Sequence, residues 1–290
     1  MARLFSRVYA IGYSEKKSEG IENIYNKYTI VKNRFLSWCA DPFPIEYEGE
    51  LYIFAELFKF VGCKGVIAYT KKTKNGFDKW KIIIEEPYHL SFPNIYKYNN
   101  KYYMCPESNE AKEIYIYECI EFPDKWKKKN VLVRGGHYCD TVFFAKGRKI
   151  YGITYNLNGN LEMFDCYNGC SFSKGQLNVT SVYDNRPAGQ IFIDKKYGNV
   201  LVSQIGEPKY GSGLVFKEIS LSWPDYNERE IKRIYPEDIF CDVKRKYNGV
   251  HTFNMSEQYC VIDVIYDEIN IVEKLLKVLH KCRKKMKKCH

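Results

Sequence analysis

Asp41-Pro-Phe-Pro-Ile-Glu-Tyr-Glu-Gly-Glu-Leu-Tyr-Ile-Phe-Ala-Glu56 is an apolar run, a turn around Gly49 and a second run of alternating character. That is the pattern of a β-hairpin. Pro93 to Glu107 repeats it 51 residues later, with Tyr103 falling on Tyr52 and Glu107 on Glu56. A third copy, Asp140 to Thr154, sets Asp140 on Asp41 and Tyr151 on Tyr52 at a shift of 99. Gln190 to Ser203 forms a fourth copy and His251 to Asp263 a weaker fifth. Between hairpins, Asp78-Lys-Trp-Lys81 recurs as Asp124-Lys-Trp-Lys127. Each unit therefore reads as hairpin, connector and outer strand, at a period of about 50 residues. Units of this size cannot bury both sheet faces alone, and five of them predict an all-β, five-bladed β-propeller closed around a central channel. A β-sandwich with accidental periodicity is the rival. Residues 1–37 are expected to supply an outer strand or a closing segment for the last blade. The expected division is a propeller over 1–265 and a basic C-terminal helix or tail over 266–290.

Composition narrows the classes. In 290 residues, 45% hydrophobic and 28% charged side chains exclude disorder, collagen and coiled coil as descriptions of the whole chain. Aromatics reach 16%, which favours strands and ring-lined sites that stack on sugar-like ligands. The net charge of +10 is concentrated at one end: after Glu273 come eight Lys or Arg and no acid. The rest of the chain is nearly neutral, so no nucleic-acid partner is expected. No run of 18 apolar residues is present, and Arg7 interrupts the short apolar stretch near the N-terminus, so the expectation is a cytoplasmic protein. Eleven cysteines without a Cys-x-x-Cys pair suggest reduced thiols. No cofactor and no metal are expected; His137, Cys139 and Asp140 are the nearest approach to a ligand cluster.

From residue 266 to 288 the period becomes helical, with Val272, Leu275, Leu276, Leu279, Cys282 and Met286 on one stripe and a basic polar face. Two readings stay open: a capping helix whose lysines are solvated, or a segment that adsorbs to an anionic membrane surface.

A propeller gathers the residues that open its innermost strands around one mouth, which makes Asp41 and Asp140 candidate neighbours. Two carboxylates in one pocket push their pKa values apart, as acid/base chemistry at a glycosidic bond requires. Asp-Pro and Asp-Thr could equally make turns at strand starts. His89, Gln190, Tyr210 and His251 are candidates for hydrogen bonds to sugar hydroxyls, the two histidines having core roles as the alternative. Gly206 to Gly213 is glycine-rich but lacks the Gly-Lys-Ser/Thr ending of a phosphate loop, so it reads as a blade loop.

Ala40-Asp-Pro-Phe43, His89-Leu-Ser-Phe-Pro93, Tyr103-Met-Cys-Pro-Glu-Ser108, Phe122-Pro-Asp-Lys-Trp126, Asp140-Thr141 and Asn185-Arg-Pro-Ala-Gly-Gln-Ile-Phe192 together resemble the N-terminal domain of plant glucosamine inositolphosphorylceramide transferases and their bacterial relatives. More distantly they resemble family 43 glycoside hydrolases. The match covers about residues 35–265 and implies a five-bladed propeller of carbohydrate-related function. It places Asp41 where the hydrolases have a general base and Asp140 where they have the aspartate that tunes the acid. The acid itself, a glutamate opening the fourth blade, is replaced by Arg186, which stays charged and cannot donate a proton. Either Glu107 takes the acid's role, or the site does not hydrolyse. Arg186 would instead suit a ligand with a carboxylate or phosphate, or simply tie blades together.

The expectation is thus a glycosidase-like propeller acting on or binding a glycan, with catalytic candidates Asp41, Glu107 and Asp140. The alternative is a non-catalytic module that binds a glycan or sugar nucleotide beside a glycosyltransferase partner.

Overall fold

The computed structural model describes residues 5–146, 149–165, 171–172 and 177–286. The hairpin repeats become five antiparallel sheets arranged as blades. Blade one is Ser37–Tyr47, Glu50–Lys59 and Lys64–Thr73, edged by the short strands Gly76–Phe77 and Lys81–Ile84. Blade two is Ser91–Tyr98, Lys101–Glu107, Glu113–Glu121 and Lys125–Arg134. Blade three is Tyr138–Lys146, Lys149–Asn156, Leu161–Asp165 and Ser171–Phe172. Blade four is Phe192–Asp194, Gly198–Ile205, Gly213–Ser222 and Asp225–Ile234, with Leu177–Asn178 added in parallel outside. The protein is the five-bladed β-propeller that the repeat period predicts.

The fifth blade closes the ring with both ends of the chain. Gly249–Met255 and Tyr259–Ile269 form its inner hairpin, and Phe5–Glu15 and Lys27–Val31 supply the next two strands. The expectation for residues 1–37 is met by a strand whose pairing with the C-terminal strand runs unbroken from Phe5 opposite Ile269 to Glu15 opposite Tyr259. That pairing also carries the C-terminal strand further than the helical pattern suggests. Tyr266 to Ile269 are held by Val8 to Phe5, so the helix starts only at Ile271 and runs to Met286. Asn270 caps it, its Oδ1 accepting from Glu273 N–H at 2.9 Å. No helix among the described residues is long and apolar enough to cross a membrane.

Cores lie between adjacent blades. Phe54, Ile67, Ile95, Met104 and Tyr115 fill the seam between blades one and two, and Val202, Phe216, Phe253, Ile262 and Tyr28 that between four and five. The repeated Asp-Lys-Trp-Lys segment has a local reason. Trp80 is buried at the outer edge of blade one, its Nε1 donating to Lys32 O at 3.1 Å, and Trp126 donates to Pro123 O at 2.8 Å.

Blade four contains a buried ion pair. Lys217 Nζ meets Glu228 Oε1 at 2.8 Å with both side chains essentially inaccessible, and it also donates to Asp184 O at 2.6 Å. Tyr226 Oη donates to the other Glu228 oxygen at 2.7 Å. Because it grips Asp184, Lys217 fixes the segment that leads to Arg186. Removing one partner leaves an uncompensated buried charge, so Glu228→Ala is expected to lose roughly 3–5 kcal/mol of folding stability. Urea unfolding of the two proteins side by side measures that loss.

Candidate functional site

The innermost strands share one local device. The pairing of inner and second strands slips between Ala40 and Phe43 in blade one, Ser91 and Asn94 in blade two, Cys139 and Val142 in blade three and Val250 and Thr252 in blade five. In the first three bulges a residue takes left-handed backbone: Asp41 at φ 52°, Phe92 at φ 43° and Asp140 at φ 49°. Aspartate tolerates that region better than most residues, and a bulge re-aims its side chain. Asp41 and Asp140 are thereby turned inward from equivalent points of two blades, 99 residues apart in sequence.

Around this ring the polar groups hold one another. Asp41 Oδ2 accepts from Phe92 N–H at 3.1 Å and Oδ1 from Thr252 Oγ1 at 2.9 Å, while His251 Nε2 lies 3.4 Å from Oδ1. The other ring nitrogen of His251 is 2.6 Å from Asp263 Oδ2. Asp263 also accepts three backbone amides, from Asp41 at 2.9 Å, Thr252 at 2.9 Å and His251 at 3.2 Å. Across the channel, Arg186 Nε donates to Asp140 Oδ2, and its Nη2 reaches Asp140 Oδ1 at 3.2 Å and Glu107 Oε2 at 2.9 Å. Gln204 Nε2 adds a bond to Asp140 at 3.0 Å. Tyr210 forms a wall that solvent reaches, its ring centroid 5.1 Å from the Arg186 guanidinium carbon and 5.3 Å from the His251 ring. His89 joins at the rim, with Nε2 3.2 Å from Glu56 Oε1 and Nδ1 accepting Gly65 N–H at 3.1 Å.

Burial raises the proton affinity of Asp41 and Glu107. Loss of solvent pushes Asp41 up to about 7, against the pull of His251 and with the help of Asp140 and Asp263. The same cause holds Glu107 well above the usual range, Arg186 opposing and Asp140 adding to it. Glu107 and Asp140 thus share one guanidinium. Burial alone would lower His89; Glu56, Glu107 and Glu110 lift it to about 9. The Gly65 amide claims the Nδ1 lone pair, so protonation of His89 would have to break that bond.

Of the residues singled out from sequence, Asp41, Glu107, Asp140, Arg186, His89, Tyr210 and His251 meet at this mouth. Gln190 does not. It lies further along its strand, its N–H donating to Asn254 Oδ1 at 2.7 Å and its side-chain amide to Ile95 O. There it lines a cavity of about 410 Å³ with Glu46, Asn94, Tyr96 and Ser256, at the other end of the channel. Blade four enters the channel early, at the Pro187 to Ser203 bridge, so Arg186 and not Gln190 takes the mouth position. A cleft of about 1070 Å³ lies on the outside between blades five and one, lined by Lys32, Phe35, Phe77 and Trp80, and none of the mouth residues lines it.

Arg186 has two readings from sequence, a fork for a ligand's acidic group or a tie between blades, and its Nε and Nη2 are engaged by Asp140 and Glu107, as in the second. Asp263, Thr252 and Glu56 were not singled out, although Asp263 stands directly opposite Thr252 in the fifth hairpin. Donor atoms of Asp41, His251 and Asp263 lie within 4.8 Å of one another, a set that could in principle share a cation. Thr252 Oγ1 and the backbone amides of Phe92, Asp41 and Thr252 already occupy the two carboxylates. His137 and Cys139 join no such set: His137 Nδ1 pairs with Asn109 Oδ1 at 2.7 Å, and burial keeps the Cys139 thiol protonated.

The family described as "Glucosamine inositolphosphorylceramide transferase 1, N-terminal" matches residues 28–259. The chain belongs to this family. The glucosamine inositolphosphorylceramide transferase 1 of Arabidopsis thaliana is 31% identical over 138 residues, which are 44% of this chain and 18% of that protein. The protein of the same name from Oryza sativa subsp. indica is 33% identical over 100 residues, 33% of this chain and 13% of its own length. Those relatives therefore extend far beyond the part that this member of the family resembles. Among solved structures, an α-L-arabinofuranosidase from Podospora anserina, determined with cellotriose, superposes with a TM-score of 0.57 at 8% identity, covering 82% of this chain and 93% of that one. A family 43 endo-arabinanase from Bacillus licheniformis gives 0.54 at 12% identity, covering 82% and 95%. At such identities these two likenesses establish the fold: a glycoside-hydrolase-like propeller.

The raised Asp41 carboxyl makes a signed prediction. Its folded pKa of about 7 lies above the ordinary value of 3.8, so its stabilising contribution is complete below about pH 4 and is lost as pH rises through about 7. Asp41→Asn mimics the protonated form. Its stability relative to wild type is expected to improve between about pH 5 and pH 8, as read by urea unfolding at both values.

Proposed function

We propose that the protein is a carbohydrate-recognition propeller that holds a sugar-containing ligand at the mouth of the channel and works beside a glycosyltransferase, without breaking a glycosidic bond itself. The observation that carries this reading is Arg186. It stands where the resemblance to hydrolases calls for an acid, with its guanidinium bound to both Asp140 and Glu107. A general base fares no better: Asp41 is 5% exposed and both its oxygens already accept hydrogen bonds. Base catalysis needs a carboxylate free to touch a water in the pocket.

The charge balance narrows the ligand. Asp41, Glu56, Glu107, Asp140 and Asp263 face Arg186 and two histidines around the mouth. An anionic group entering there would find the Arg186 fork and both imidazoles already paired with carboxylates. A neutral polyol or an amino sugar suits the site better, with Tyr210 as the surface on which a sugar ring could stack. The name of the relatives, glucosamine inositolphosphorylceramide transferase, supports the amino-sugar choice.

A second reading, hydrolysis with Glu107 as acid and Asp41 as base, draws on one observation, the raised proton affinity of Glu107. The test is a binding screen of neutral sugars, amino sugars and sugar nucleotides, with product release followed in parallel by mass spectrometry. Expected is binding without release, weakened at least about tenfold in Arg186→Ala, because Glu107 and Asp140 are then left unpaired and repel one another. Release by wild type that disappears in Glu107→Gln while binding persists would replace recognition by hydrolysis.

A further inference from the structure

The C-terminal helix is seated with its polar side inward. Glu273 is fully buried, paired with Lys277 at 2.6 Å, and the Lys277 ammonium lies 5.7 Å from the ring centroid of Phe58. Ile271, Val272, Leu275, Val278 and Leu279 are each 50–61% exposed. In water a half-turn of this helix about its axis would gain apolar burial, so its orientation suits an apolar phase on the outer side.

The position of the helix in the propeller matters as much. Strand direction places it at the end of the channel that carries the site. Ile269 precedes it and pairs with Phe5, and Phe58 stacks on Trp38 at 4.6 Å, just before Asp41 in the first blade. Loop tips at that same end also show apolar side chains to solvent: Phe35 is 87% exposed and Val61 59%. Such a rim is more apolar than a solvated surface requires.

We infer that the site-bearing end of the propeller docks on an anionic lipid surface, with the outer face of the C-terminal helix as the inserted element and the loop tips of blade one beside it. Charge selects this occupant. The chain after Glu273 carries eight Lys or Arg and no acid, which attracts anionic head groups. It also opposes a second copy of the same helix, since two such faces would bring like charges together. The channel mouth then opens towards the bilayer, where the sugar of a glycolipid would be presented. Docking itself does not depend on what the mouth binds, so it stands or falls apart from the function proposed above.

Flotation of the full chain with vesicles that contain no glycolipid tests it. Phosphatidylcholine vesicles with about one third phosphatidylserine are expected to bind at least about tenfold more protein than phosphatidylcholine alone, and added salt should reduce the difference. The double variant Leu275→Glu with Leu279→Glu should lose binding at least about tenfold, and Phe35→Ser part of it. All three side chains are exposed, so an unchanged melting temperature certifies the fold. Failure of wild type to bind anionic vesicles, or equal binding by the double variant, overturns docking. Full binding by Phe35→Ser overturns the orientation. A dimer that the double variant dissolves, seen by sedimentation velocity without vesicle binding, assigns the face to a second copy instead.

Discussion

The pairing of Phe5–Glu15 with Tyr259–Ile269 is the constraint on which the rest of the molecule depends. A propeller blade exposes two apolar faces, and only a closed ring gives every face a neighbour. Residues 244 to 264 apart in sequence must find one another to close it, an entropic cost that the long unbroken ladder offsets once formed. His251 and Asp263 sit on the blade that this ladder completes, so the contact of His251 with Asp41 across the seam exists only in the closed ring.

Closure also explains why so much charge is buried around one opening. Each blade points at least one polar residue inward, and its neighbours remove the solvent there. The molecule answers by sharing: one guanidinium for two carboxylates, one imidazole between two others, and main-chain amides for the remaining lone pairs. Such mutual satisfaction makes a polar centre rigid. It also leaves the carboxylates of Asp41, Glu107 and Asp140 each engaged with partners inside the protein.

Much of this was legible in the chain. The shift of 99 residues between Asp41 and Asp140 located two inward carboxylates, because equivalent positions in successive blades face one axis. Glu107 fell on Glu56 at a shift of 51, and Arg186 was singled out by the resemblance to hydrolases, which calls for an acid at that place. Gln190 misled for a physical reason: the fourth blade begins its channel segment before its regular hairpin, so the first paired residue is already past the mouth. Asp263 escaped notice since it is on a second strand, and only the bulge at His251 brings it opposite Thr252. Periodicity likewise revealed an amphipathic helix but not its seating. A pattern tells which sides differ; the burial of Glu273 tells which one faces the protein.

The pairing of Phe5 with Ile269 has a geometric consequence for longer proteins built on this fold. The chain enters and leaves the ring about 5 Å apart, the spacing of neighbouring strands, and on the side where the mouth opens. A domain tethered at either terminus would therefore hang over that opening. Even a flexible linker would hold it there at a high local concentration, turning an encounter with whatever the mouth retains into an intramolecular event.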